Sequence, residues 1–294
     1  MLYAKLNNGV EMPMLGLGVF QTPAGETTVN AVKWALEIGY RHIDTAKMYE
    51  NEASVAEGIR AAGLKREDVF VTSKILPADI IAGKTAEGFD QTLEQLGSDY
   101  VDLMLLHFPM TDEMNIAAWN TMIDYYKAGK ARAIGVSNYN IRQLNVLLDN
   151  FDVVPVVNQF HIDPINNQQE CLDFCMSKGI YTEASSPFGG TGRTKEILEN
   201  PTIVKLAEEL GKTTAQVVIR WNMQRGTIMI PKSVHKERIE SNFNVFDFEL
   251  NDEHMAVMES VNDLSINRSF LDPEMAYDLW SGRIKFPFQP KKES

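Results

Sequence analysis

The sequence predicts a (β/α)₈ barrel, and three observations predict it. Short apolar runs with strand character alternate with amphipathic helical stretches eight times in succession. No Pro-, Gly- or Ser-rich linker and no long charge block divides the 294 residues, so one barrel domain is expected over 1–294. Polar side chains stand at one end of nearly every run, where barrel enzymes place their chemistry.

The runs are 14–19, 41–45, 69–75, 101–108, 131–137, 153–160, 180–185 and 227–231. Helical periods lie between them, for example at 27–38, 52–62, 85–96, 116–128, 168–178 and 214–224. Strands that alternate with helices imply a parallel sheet, and eight such units suit a closed ring. An open doubly wound sheet usually needs fewer units and a glycine-rich first turn. Residues 1–12 read as an N-terminal β-hairpin, with Asn8-Gly9 supplying the turn. Residues 265–294 lack helical period but carry Phe270, Trp280, Phe286 and Phe288. That C-terminal loop lies either across the barrel mouth or as a strap over the outside.

Composition narrows the function. Hydrophobic residues are 44% of the chain and charged residues 23%, enough for a sizeable core. A net charge of −12 argues against nucleic acid or an anionic membrane as the main partner. No apolar run reaches the roughly 20 residues that span a bilayer, so no membrane association and a cytoplasmic location are expected. Two cysteines, Cys171 and Cys175, are too few for a disulfide framework. The five histidines form no H-x-H or H-E-x-x-H pair, and no metal is expected.

Two nucleotide motifs fail on spacing. Gly83-Lys84-Thr85 follows a strand and opens a helix, but Ala78 stands where a P-loop needs glycine. Gly16 and Gly18 lack the third glycine of G-x-G-x-x-G, and Gly189, Gly190 and Gly192 are wrongly spaced.

The strand ends carry a coherent chemical set. The second run ends at Asp44, with Tyr49 in its loop; the third ends near Lys74 and the fourth at His107. An ammonium beside a phenol favours the phenolate, and a carboxylate can hold that ammonium charged and in place. The expectation is a Tyr49 whose pKa falls from its usual value near 10 far enough to transfer a proton near neutral pH. His107 could hydrogen-bond the same substrate oxygen. No strong nucleophile is present, so hydride or proton transfer fits better than acyl transfer.

On these residues the chain resembles the aldo-keto reductases from about Asn7 to Leu264. The segment GYRHIDTAKMYENE, Gly39 to Glu52, is similar to that family's first signature. VDLMLLHFP, Val101 to Pro109, resembles its histidine strand, and GVSN (135–138) and VNQ (157–159) its nicotinamide-contacting strand ends. IPKS (230–233), followed by Arg238 and Asn242, resembles its adenine-end signature.

The resemblance implies a catalytic tetrad of Asp44, Tyr49, Lys74 and His107. It implies NADPH, with Ser137, Asn138 and Gln159 at the nicotinamide carboxamide, Ser185 at the ring face, and Lys232, Ser233, Arg238 and Asn242 toward the adenine end. Two cations and a hydroxyl are an apt cradle for a 2′-phosphate. The substrate would be a small carbonyl, an α-dicarbonyl or a keto-sugar, against Phe20, His107 and Phe108. A monomer or weak homodimer is expected.

The family pattern is departed from at Ser185, which stands where an aromatic usually stacks on the nicotinamide. Either cofactor affinity is reduced or Phe188 covers the ring. Ser241 replaces a frequent acidic residue, and Phe108 a frequent Trp. The loop after His107 is short, which favours an open mouth. The reading from another class is a catalytically weak, NADPH-binding redox-sensing subunit.

Overall fold

The computed structural model describes residues 2–265, 278, 280 and 281. Its first two strands, β1 (Tyr3–Lys5) and β2 (Glu11–Pro13), pair antiparallel as the hairpin. Gly9 alone takes positive φ (86°), and Leu6 N–H reaches Val10 O across a three-residue loop. The turn therefore uses glycine at its last position rather than a two-residue Asn-Gly turn.

Eight parallel strands follow: β3 (Leu17–Gly18), β4 (His42–Asp44), β5 (Phe70–Ile75), β6 (Val101–Leu106), β7 (Ala131–Ser137), β8 (Val157–His161), β9 (Tyr181–Ser185) and β10 (Ile228–Met229). Each pairs with its neighbour in chain order. Met229 N–H bonds to Met14 O and Gly16 N–H to Met229 O, and Gly18 bridges Lys232, which joins the last strand to the first and closes the ring. Seven of the eight predicted runs contain one of these strands whole, and β8 starts inside the run 153–160 and ends one residue past it. The outermost, β3 and β10, are shorter than their apolar runs because only part of each run finds ladder partners.

Helices lie between the strands. Thr85–Leu96 and Thr214–Gln224 match the periodic stretches to the residue. Others begin where a cap allows. Asn140 and Gln143 form a reciprocal capping box at the start of Ile141–Asn150, as do Thr213 and Gln216 at Thr214–Gln224, each satisfying otherwise orphaned N–H groups. Phe89, Trp119 and Leu144 point from such helices onto the sheet and are fully buried. Each side chain of that size stabilises the fold by about 1.5–3 kcal/mol. No helix of the described residues is long and apolar enough to cross a membrane.

The barrel interior is graded. At its N-terminal end Phe70, Leu103, Ala133, Val157 and Ile228 form an apolar cluster with Ala4, Leu6 and Met12, so the hairpin plugs that end. One step up, alternation along the strands brings in His42, Thr72, Gln159 and Glu183, all buried. This polar layer fits because Gly16 lacks a side chain: a Cβ there would stand 2.4 Å from His42 Nδ1. The C-terminal end carries Asp44, Lys74 and His107.

Candidate active site

Tyr49 sits on a short 3₁₀ turn, Lys47–Tyr49, just past β4. Three contacts hold the surrounding loop. Thr45 Oγ1 donates to Asn51 Oδ1 at 2.7 Å, and Asn51 Nδ2 donates to Val19 O and Thr22 O at 3.0 and 3.1 Å. The phenol thus reaches the barrel axis from a loop tied at both ends. Its hydroxyl lies 3.3 Å from Lys74 Nζ.

Lys74 is wholly buried, an arrangement that a lone ammonium could not sustain. Its Nζ donates to both oxygens of Asp44, at 2.7 and 2.8 Å, and to Thr45 O at 2.8 Å. Burial alone would pull the ammonium's pKa down; Asp44 and Tyr49 overcome that and hold it above the usual lysine value. Lys74 is therefore a fixed positive charge.

The expected lowering at Tyr49 is not what the surroundings produce. Burial raises its pKa, Lys74 lowers it, Asp44 raises it again, and the balance lies at about 12. The sequence expectation counted the ammonium but not the desolvation of the phenolate, which is the larger effect in this closed end. Tyr49 is accordingly a phenol at rest, with a cation poised to stabilise the phenolate left once the proton is gone.

His107 follows β6, and its ring centroid lies 5.7 Å from that of Tyr49, edge to face. Burial, and then Lys74, press its pKa well below 6.5, so the ring is neutral. Its Nδ1 has no partner among the described residues. Phe20 lies 5.0 Å from Tyr49, and Phe108 stacks on His107 at 4.9 Å. Trp280 reaches Phe108 at 5.7 Å, so this part of the C-terminal segment stands at the mouth. Phe270, Phe286 and Phe288 lie outside the described residues.

The predicted cofactor residues fall on two sides. Ser137, Asn138 and Ser185 sit at or next to the ends of β7 and β9, and Gln159 is the middle residue of β8 between them. Asn138 holds a left-handed conformation, φ 64°, and spends its Nδ2 on His107 O and Ser137 Oγ, both at 3.0 Å. Gln159 spends its Nε2 on Asp44 Oδ2 and Glu183 Oε2, both at 2.8 Å. Both amides are thereby oriented with the oxygen as the uncommitted end. Ser185 is paired in register with His161, whose Nε2 lies 2.6 Å from Asp163 Oδ2. Phe188 packs into the apolar cluster around Ile197, Ile203 and Leu206.

The other group follows β10. Lys232 and Arg238 are exposed, and neither forms an ion pair with the described residues. Ser233 Oγ accepts from His235 N at 3.1 Å, shaping the approach to the helix Lys236–Phe243, and Asn242 is buried on that helix. Lys84 lies apart, an exposed helix-start residue paired with Glu87 at 3.3 Å.

Glu183 escaped the sequence reading. It lies in the middle of β9, and its signal was a charged residue inside a strand with buried neighbours on both sides.

Residues 14–263 match the model of the aldo/keto reductase family. The glyoxal reductase of Bacillus subtilis is 42% identical over 258 residues, covering 88% of this chain and 92% of that protein. The morphine 6-dehydrogenase of Pseudomonas putida is 45% identical over 273 residues, covering 87% and 90%. The crystal structure of a Bombyx mori aldo-keto reductase in complex with NADP superposes with a TM-score of 0.81 at 36% identity, covering 90% of this chain and 95% of that one. With a family match spanning most of the chain, and relatives of this identity over nearly their full length, the protein belongs to the aldo/keto reductase family.

Proposed function

We propose that this protein reduces small carbonyl compounds with NADPH, with Tyr49 as proton donor. The observation that carries the reading is the buried chain Asp44–Lys74–Tyr49, in which one ammonium contacts two carboxylate oxygens and the phenol. A carbonyl oxygen that gains negative charge needs a proton and a fixed positive field. Tyr49 supplies the first and Lys74 the second. Neutral His107 carries one ring N–H, which can donate a hydrogen bond that orients that oxygen. Phe20, Phe108 and Trp280 offer an apolar wall that excludes water on the substrate side.

The chain's residues fit a nicotinamide cofactor, which when bound would supply the hydride. The uncommitted oxygens of Asn138 and Gln159, with the Ser137 hydroxyl, suit a carboxamide NH₂. Lys232 after β10 and Arg238 on the following helix bring two cations that have no counter-ion among the described residues, with Ser233 between them in sequence, and that suits a 2′-phosphate. Ser185 offers a hydroxymethyl group, not an aromatic side chain, to the ring face. The NADP complex of the Bombyx mori relative supports the cofactor, and the name glyoxal reductase of another supports small dicarbonyls as substrates.

The test is loss of NADPH absorbance with a panel of methylglyoxal, a nitrobenzaldehyde and a keto-sugar. Turnover is expected with at least one of them. NADPH binding with no turnover anywhere on the panel would instead favour the redox-sensing reading.

Cofactor choice has its own test. Arg238→Ala is expected to raise the NADPH Kd about 10- to 100-fold, the worth of a charge-assisted hydrogen-bond pair. The NADH Kd should stay the same. Fluorescence titration with both nucleotides measures this, and an unchanged NADPH Kd would remove Arg238 from the phosphate site.

A further inference from the structure

Beneath the candidate active site lies an imbalance of charge. Two carboxyl groups, Asp44 on β4 and Glu183 on β9, share one bridging amide, Gln159 on β8, at 2.8 Å from each. Among the described residues only one cation faces them, Lys74 on β5, and it is committed to Asp44 through both oxygens. The other titratable groups nearby are neutral. His42 on β4 has Nε2 3.7 Å from Glu183 Oε1, but that nitrogen is bonded to Thr72 Oγ1 at 3.0 Å, and burial holds the imidazole's pKa down at about 3. His107, after β6, is neutral for the same reason, and Tyr49 is a phenol. Glu183 is fully buried, and its Oε1 has no hydrogen-bond partner among the described residues.

A naked carboxylate oxygen without donor or counter-ion in a protein interior is costly, whereas a carboxylic acid there is tolerable. Of the two carboxyls, Asp44 has the ammonium and Glu183 has only the amide, so the proton resides on Glu183. Burial, and then Asp44, accordingly raise the Glu183 carboxyl to about 8, with Gln159 and Lys74 pulling the other way.

We propose that Glu183 is a positioning residue that, as a neutral acid, anchors the Gln159 amide against Asp44 and keeps the charge beneath Tyr49 at a level where the phenol can release its proton. The inference rests on the carbonyl-reductase reading for its kinetic consequence but not for its charge state. Gln159 then has two tasks. Its NH₂ fixes the carboxyl pair, and its oxygen is turned toward the cofactor position. When Glu183 loses its proton, a second negative charge enters the site and Tyr49 becomes a weaker acid, because a nearby anion disfavours phenolate. Glu183 itself transfers no proton to substrate.

Two measurements test this. The first is a ¹³C NMR titration of glutamate side-chain carboxyls in the wild-type protein, with Glu183→Gln assigning the signal. A Glu183 carboxyl titrating near pH 8 is expected; one titrating in the ordinary glutamate range overturns the proposal. It needs no turnover, and the wild-type spectrum is informative even if the variant fails to fold. The second is the pH profile of kcat for carbonyl reduction. Wild type should lose rate as pH rises through about 8, and Glu183→Gln should lose that descending limb. A variant slowed by one constant factor at every pH, with the limb intact, would show only a structural role and overturn the proposal. Failure of wild type to reduce any carbonyl would sink the carbonyl-reductase reading, while the NMR titration would still decide the charge state of Glu183.

Discussion

Tyr49→Phe is expected to lower kcat for carbonyl reduction by about 10²- to 10⁴-fold, the usual worth of a placed general acid. That corresponds to roughly 3–5 kcal/mol of transition-state stabilisation. The substitution removes one oxygen and keeps the ring, so the packing against Phe20 and His107 should survive. The loop hydrogen bonds run through Thr45 and Asn51 and are also untouched. NADPH affinity should therefore hold within about twofold, within the spread of conservative changes. Steady-state kinetics together with NADPH titration separate the two quantities. Turnover equal to wild type would remove Tyr49 as the acid, and a matching loss of NADPH binding would point to misfolding instead.

Lys74→Met should be the most damaging single change to stability in the site. Lys74 is 0% exposed and its ammonium is the counter-ion of Asp44, which is itself buried. Removing one partner of a buried pair leaves the other uncompensated, at a cost of about 3–5 kcal/mol. The variant should also lose carbonyl reduction, since no cation then stabilises the phenolate. A second substitution distinguishes the two effects. Lys74→Met combined with Asp44→Asn removes the orphaned charge, so denaturant unfolding should return much of the stability. Activity should not return. If the double variant unfolded as easily as Lys74→Met alone, the buried charge would not be the cause of the instability.

Both outcomes bear on how the site is built. Asp44, Lys74, Glu183 and Gln159 come from four strands, and none of them contacts another within its own strand. Their distances are set by the register of β4 with β5 and of β8 with β9. Asp44 and Gln159 meet across the barrel although 115 residues separate them. A closed ring makes that possible, because inward-facing residues of non-adjacent strands converge on one axis.

The sequence by itself determined the barrel and the hairpin, and it singled out Asp44, Tyr49, Lys74 and His107, which the structure brings together. Alternation of apolar runs with helical periods is a local signal, as is a polar residue at nearly every strand end, and so Asp44, Tyr49, Lys74 and His107 were legible as a converging set, each weak alone. Helix ends at Leu96 and Gln224 were legible for the same reason. Only the tertiary structure decided the electrostatics. Burial is a property of the whole packing, and it turned the expected lowering at Tyr49 into a rise to about 12. It also brought in Glu183, which looked like one charged residue in a strand until the ring closed around it. Which carboxyl keeps a proton depends on where the single ammonium sits in three dimensions, and no spacing along the chain records that.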